Sequence, residues 1–556
     1  MHEYDFSLGN HHFEVTTASA LAQRWFDRGL VWIYGFNHNE AAACFRKAAQ
    51  ADPQLAMAYW GEAYACGPFY NMTWDKFSAA EAAEATAVCH AATRTAQRLA
   101  PAAHDVEQAL IEALCARFQK PKPVSLEQFA QWEDDYVMAM RQVHDRYPDH
   151  CDIAALFSEA LITRTPWRLW NVETGEPAAG AHTDEALGVI ERAIARRLEA
   201  GEPDHAGLLH NCIHALEMSP HPERAMGAAD RLPNTSPDNG HLQHMPAHVY
   251  VLCGRYSDAI EVSNRAIEAD DKYVAHAGMF DFTALNRCHD VLMKIHAAML
   301  AGHRGEALSG VDALLDRLSE ELLQIDKPYL AMLLEGYLAS VGHVNVRFGL
   351  WEDILAKPGR TDASRYPITI AMEYYARGIA CSSLGRLEEA EHEQTQLDAV
   401  TAGLSDELIL GNNPVADVLA VGQAMLSGEL EYRRGGYGKA FAALRTAVRL
   451  SDELAFSEPW PWMHPPRHAL GALLMEQGEY EEAEAVYRTD LGLDDAVVRC
   501  QQHPGNVWSL HGLAECLRRK TPTAELEALE LELEAALGYA DISIKASCCC
   551  RRSVSW

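Results

Sequence analysis

The chain has 556 residues and lacks the short signatures on which most catalytic assignments rest. It has no glycine-rich phosphate loop, no GxSxG elbow and no paired-cysteine zinc signature. The sequence grounds for P-loop nucleotide chemistry, an α/β-hydrolase or a zinc ribbon are therefore missing. Basic residues are scarce: 47 Lys and Arg stand against 79 Asp and Glu, a formal charge of −32. Phosphate backbones and anionic membranes need a basic face, and no basic stripe interrupts the acidic background, so neither is expected as a partner. No apolar run reaches transmembrane length, so no membrane span is expected. The opening MHEYDFSLGN carries acids where a secretory signal would be basic and then apolar. Low-complexity linkers are absent, and no alternating run is long enough to argue for a sheet. The 14 cysteines are scattered, with Cys44, Cys66, Cys212 and Cys381 at helix-packing positions. They read as reduced thiols of a cytoplasmic protein.

What the chain does have is helical periodicity in repeated units. With Ala22 as the first position of a 34-residue frame, Gly29, Ala41 and Ala48 fall where paired helices must approach closely. Trp25, Trp32 and Phe45 fall where aromatics fill the gaps, and Pro53 ends the second helix. This resembles the tetratricopeptide pattern, with Arg28 departing from the usual leucine. The frame recurs at Gly378, Cys381 and Ala390, at Gly428, Ala440, Leu444 and Ala447, at Gly471, Ala483 and Tyr487, and at Trp508 with Gly512. Turn signals at 254–256, 385–387, 435–437 and 478–480 separate the helices. The expected fold is all-α, a superhelical solenoid of tetratricopeptide-type hairpins. The expected divisions are a lead-in at 1–20, N-terminal hairpins at 21–135, central hairpins at 136–320, C-terminal hairpins with a capping helix at 321–540, and a cysteine-rich tail at 541–556. The acidic amphipathic stretch 525–537 is the expected cap. The irregular stretches 164–182 and 355–366 read as loops between hairpins. The tail, with Cys548, Cys549 and Cys550 consecutive, is expected to be loosely ordered. Soft-metal binding, lipidation or redox sensing would be its alternative uses.

Three successive hairpins carry histidines on one helical side each: His210 and His214; His241, His244 and His248; His289 and His296. Glu217 extends the first set by three residues. In the frame set by alanines and glycines, these residues take positions of each first helix that line the concave groove of tetratricopeptide folds. All seven imidazoles are thus expected to share one cavity. Pro246 lies inside the helix of the middle set, where it either kinks the helix or restarts it as a first-turn residue. Imidazole is the commonest transition-metal ligand, so the eight residues His210, His214, Glu217, His241, His244, His248, His289 and His296 are candidate metal ligands.

Beyond the repeat, the chain resembles a subfamily of long tetratricopeptide proteins of bacteria and fungi. The resemblance lies in 56–68, 210–232, 240–260 and 465–491, and in the closing SCCCR at 547–551. It covers most of the chain and is most specific at the histidine segments, yet it implies no activity for the group. Leu292 stands where relatives often carry a polar or histidine side chain, which leaves this chain's site altered or one ligand short.

Three readings follow. In the first, a transition metal sits in the groove, with Fe, Zn, Mn and Cu equally open, and Glu217 acts as ligand or general base. A labile coordination position would make the centre a metal-dependent enzyme. In the second, a metal-free scaffold holds a small molecule, a peptide or an acidic ligand, with Trp60, Tyr64, Asp290 and His468 lining the groove. In the third, the histidines merely satisfy one another in a tight wall. His11 and His12 read as a solvated turn, and Trp167 with Trp170 as staples for the 164–182 loop or a roof over the cavity.

Overall fold

The computed structural model describes residues 4–278, 283–325, 327–520 and 523–552. The chain divides into two compact units, one comprising Met1–Val249 with Arg265–Gly278, the other Tyr250–Asn264 with Met279–Trp556. Each is a succession of helices, most of which pack on the next in sequence, as antiparallel hairpins joined by short turns do. The expected all-α hairpin solenoid is what the chain forms. The described strands are a two-residue pair, Ile409–Leu410 with Asn413–Pro414.

The first unit opens with the helices Ala20–Tyr34 and His38–Ala51, the hairpin from which the repeat frame was read. Ser19 and Asn37 cap them by accepting from the amides of Ala22 and Glu40. Phe45 lies between Gly29 and Gly61, and a Cβ at either would sit 2.6 or 2.3 Å from its ring. The second unit repeats the device with Tyr487 between Gly471 and Gly512. Small residues in the frame are thus the seats of aromatic rings from the neighbouring helix. Gly61→Ala is expected to cost stability. Overpacking of about 1–3 kcal/mol outweighs a helix-propensity gain of about 1 kcal/mol. A denaturant midpoint that rises in this variant would refute the packing account.

The turn glycines behave as the frame requires. Gly254, Gly385, Gly435 and Gly478 all have φ between 77° and 83°, a conformation costly for other residues. The stretch 525–537 falls within the helix Ala524–Tyr539, which buries Leu526, Leu529 and Leu533 and leaves Leu531 exposed.

The tail is not loose through the described residues. Ile544, Ala546, Ser547, Cys548, Cys550 and Arg551 are buried, and the Cys548 and Cys550 sulfurs are bonded to each other. Arg347 donates to the Ser547 carbonyl at 2.6 Å, Ser547 Oγ donates to the His468 carbonyl at 2.8 Å, and Arg551 pairs with Glu515. A buried guanidinium bonded to a carbonyl of the tail fixes a segment whose composition suggests a frayed end.

Candidate metal centre

In the first unit the helix Ala206–Leu216 carries His210 and His214, with Glu217 at its C-cap. It approaches the helix Ala20–Tyr34 closely because Gly207 leaves room for the Tyr34 ring, which a Cβ would meet at 2.6 Å. That approach lets His210 Nδ1 reach the Tyr34 carbonyl at 2.6 Å. A carbonyl only accepts, so Nδ1 carries the proton and Nε2 carries the lone pair. Nε2 of His210 is buried and has no hydrogen-bond partner. Burial, with the His214 and His248 rings nearby, holds the His210 pKa well below the usual histidine value, against the carbonyl bond. The ring is neutral, the form that ligates metals.

The middle histidines follow a broken helix. Gly240–His244 ends at Met245, and a new helix begins with Pro246 as its first residue. Met245 keeps helical dihedrals, so Pro246 restarts the hydrogen-bonding without turning the chain away. Asn239 caps this element, and its side chain lies over Gly35, where a Cβ would be 2.0 Å away. His241, His244 and His248 therefore remain on one side across the break.

Five imidazoles come together. The ring centroids of His210 and His214 are 4.7 Å apart, those of His210 and His241 4.9 Å, and those of His241 and His244 6.0 Å. His244 and His248 follow at 4.7 Å, and His248 returns to His214 at 6.5 Å. The rings thus form a closed circuit. One ligand atom from each of His210, His214 and His241 lies within 4.8 Å of the other two. The Nε2 atoms of His244 and His248 face each other at 2.7 Å. Glu217 spans the circuit from behind, its two oxygens 2.8 Å from Nδ1 of His214 and 2.8 Å from Nδ1 of His248. As an acceptor, the carboxylate fixes both rings with Nδ1 protonated and Nε2 bearing the lone pair. No member of this set is more than 7% exposed.

Aromatic rings cover the cluster. Phe36 stacks on His214 and His241 at 5.6 and 5.5 Å and lies 4.4 Å from His210. It has a φ of 54°, a strained backbone for a bulky residue and one found mostly where surrounding structure holds it. Tyr70 lies 4.4 Å from His214 and 5.1 Å from Trp167. Trp170 donates to the Ala215 carbonyl at 2.7 Å. The loop 164–182 is thereby stapled to the helix that bears His210 and His214, and Trp167 roofs Tyr70. Phe36 and Tyr70 were not legible in the repeat frame, because both sit in turns outside its fixed positions.

His289 and His296 lie on the helix Thr283–Ala301 of the second unit, together with the fully buried Asp290. There His296 has His503 and His343 as electrostatic neighbours, and burial takes its pKa down to about 3. His468, also in the second unit, has both nitrogens engaged, by Arg347 at 2.8 Å and Asp490 at 2.9 Å. Trp60 and Tyr64 are each 1% exposed, packed ring against ring at 5.4 Å, and the Tyr64 hydroxyl donates to Glu159. Their places are interior ones, since Gly61 between them admits Phe45.

His11 is not in a solvated turn. It meets Asp152 at 2.8 Å, and Asp152 also receives the Tyr34 hydroxyl at 2.6 Å. Burial opposes the charge on His11, but Asp152 outweighs it and raises the His11 pKa. His205, whose Nδ1 caps the Leu208 amide, offers Nε2 to Asp152 at 3.3 Å. Since His205 Nδ1 accepts, its Nε2 carries the proton and is closed to a metal, which makes this trio an ion-pair network. His12 is exposed, beside Asp27.

No family model and no curated protein matches the chain. Among solved structures, the human IFIT1 dimer with m7Gppp-AAAA is 12% identical over 95% of this chain and 91% of that one, with a TM-score of 0.28. A monomeric IFIT1 mutant with Gppp-AAAA is 10% identical over 94% and 91%, with a TM-score of 0.30. The Naa15/Naa10 complex bound to HypK-THB is 11% identical over 93% and 70%, with a TM-score of 0.21. At these values the alignments carry no argument about this chain. Among the described residues, no helix is long and apolar enough to cross a membrane.

Proposed function

We propose that this protein is a tetratricopeptide-type helical repeat protein whose first unit binds a transition-metal ion through His210, His214 and His241. The observation that carries the reading is the hydrogen-bonding of the imidazoles. His210 spends Nδ1 on a carbonyl and keeps a buried Nε2 with no partner, inside a group whose ligand atoms lie within 4.8 Å of one another. Metal-ligating histidines use the second ring nitrogen in this way, on a carbonyl or carboxylate. A structural wall of histidines offers no account of the lone pair on His210, since an unpaired buried acceptor costs about 1–3 kcal/mol.

Glu217 takes the role of orienting carboxylate, because both of its oxygens are occupied by imidazole N–H groups. Glu217→Gln tests this. The amide keeps one acceptor oxygen and replaces the other with a donor, so the side chain no longer holds both rings, and the ligand His214 loses the support that fixes its tautomer and orientation. Metal affinity is expected to fall about 10- to 100-fold, measured by competition with a chelator of known strength. An affinity equal to that of the wild type would remove Glu217 from the site. Elemental analysis of protein purified without a histidine tag tests the reading as a whole, and wild-type protein that takes up no ion would end it.

A further inference from the structure

The five clustered imidazoles exceed what one ion uses, and their geometry separates them. His210, His214 and His241 form one compact set. His244 and His248 form another, with Nε2 facing Nε2 at 2.7 Å. Because His248 Nδ1 donates to Glu217, its Nε2 holds a lone pair aimed at His244. We propose that the first unit holds two transition-metal ions side by side, the second bound by His244 and His248, with Glu217 tying the two sets together. This rests on the three-histidine site proposed above and extends it to a dinuclear centre.

The second pair has the features of a ligand set. His244 and His248 stand one helical turn apart, the i, i+4 spacing that lets two side chains converge on one point. With metal–nitrogen bonds of about 2.0 Å, an ion between them requires Nε2 atoms about 3.5–4 Å apart. From the 2.7 Å contact, that span asks the two rings to separate by about 1 Å. Loading moves the proton that His244 Nε2 shares with His248 elsewhere on His244 or into solvent, so binding releases or relocates one proton at this pair. Glu217 donates no ligand. It accepts from His214 of one set and His248 of the other, so one carboxylate orients a ring in each and couples their occupancy. The break at Met245 lies between His244 and His248, and the restart at Pro246 keeps both on the same side.

Two ions held by neighbouring imidazole sets can take a shared small ligand such as water or hydroxide, as two-metal sites with ions about 3.5–4 Å apart do. The chemical class implied for the centre is therefore activation of one small molecule between two ions.

Cupric ion is the probe. Untagged protein is loaded with copper, equilibrated against a competing chelator to clear surface histidines, and analysed for copper per chain. Two tightly held ions per wild-type chain are expected, falling to one in His244→Gln/His248→Gln. One ion in the wild type would overturn the second site and leave the three-histidine reading standing, whereas none would end both. Magnetic coupling gives a measurement that needs no variant. Two adjacent cupric ions should give an integrated paramagnetic signal well below the copper content. A signal equal to the copper content, from a chain holding two ions, would overturn the side-by-side arrangement.

Discussion

Lowering the pH from 7 to 4 is expected to destabilise the second unit by several kcal/mol through its buried neutral histidines. Burial takes His343 down to about 3. It does the same to His296, with His503 and His343 adding to the effect. His468 falls to about 4, where burial outweighs the attraction of Asp490. In the unfolded chain these imidazoles protonate near 6.5. Folded pKa values below the unfolded ones mean that the unfolded state binds more protons between these limits, so stability rises with pH and is lost on acidification. The loss begins below about pH 6.5 and grows until about pH 3–4, where the folded rings protonate. At pH 4 a histidine with a folded pKa near 3 contributes about 3 kcal/mol of that loss. His343→Phe separates this effect from the titration of carboxylates. His343 makes an edge contact with Trp462 at 4.6 Å and its Nδ1 is buried without a partner, so a phenyl ring keeps the packing and removes the proton site. Urea midpoints followed by tryptophan fluorescence should show the variant losing about 3 kcal/mol less than the wild type over this range. Parallel pH profiles for the two proteins would show that His343 is not among the groups responsible.

Much of the hairpin architecture was legible in the sequence because it depends on contacts at fixed spacing. Gly29 seats the Phe45 ring, Gly385 and Gly435 make turns that other residues resist, and these needs recur at regular intervals. The i, i+4 spacing of His210 with His214, and of His244 with His248, likewise placed each pair on one helical side. What spacing cannot supply is the partner of the second ring nitrogen. That His210 spends Nδ1 on Tyr34, 176 residues away, depends on the close approach at Gly207 and on nothing in the local pattern. Glu217 looked like a ligand because an acid three residues beyond a histidine lies on its helical side. Its second bond, to His248 on another hairpin, is what turns it into a support for two rings. The same limit applies to the tail, where partners on distant helices hold Ser547 and Arg551. The burial of His11 is hidden from the local sequence for the same reason, since its partner Asp152 lies far along the chain.

Metal removal should lower the melting temperature of the first unit by several degrees, and only when the ligands are intact. The site joins the helix Ala206–Leu216 to the two short helices on either side of Met245, so an ion bound there holds them together in the folded state. Binding to the folded state alone stabilises it by RT ln(1 + [L]/Kd), about 4 kcal/mol when free metal is a thousand times Kd. For a unit of a few hundred residues that corresponds to a shift of about 8–15 °C. His214→Ala/His248→Ala removes one ligand from each imidazole set together with both partners of Glu217. The double variant should melt at the same temperature with and without a strong chelator, while the wild type should not. Truncating buried side chains will lower the variant's own melting point, so the informative quantity is the chelator-induced difference within each protein. An equal shift in both would place the metal elsewhere on the chain. No shift in metal-loaded wild-type protein would show that the ion binds without bracing these helices.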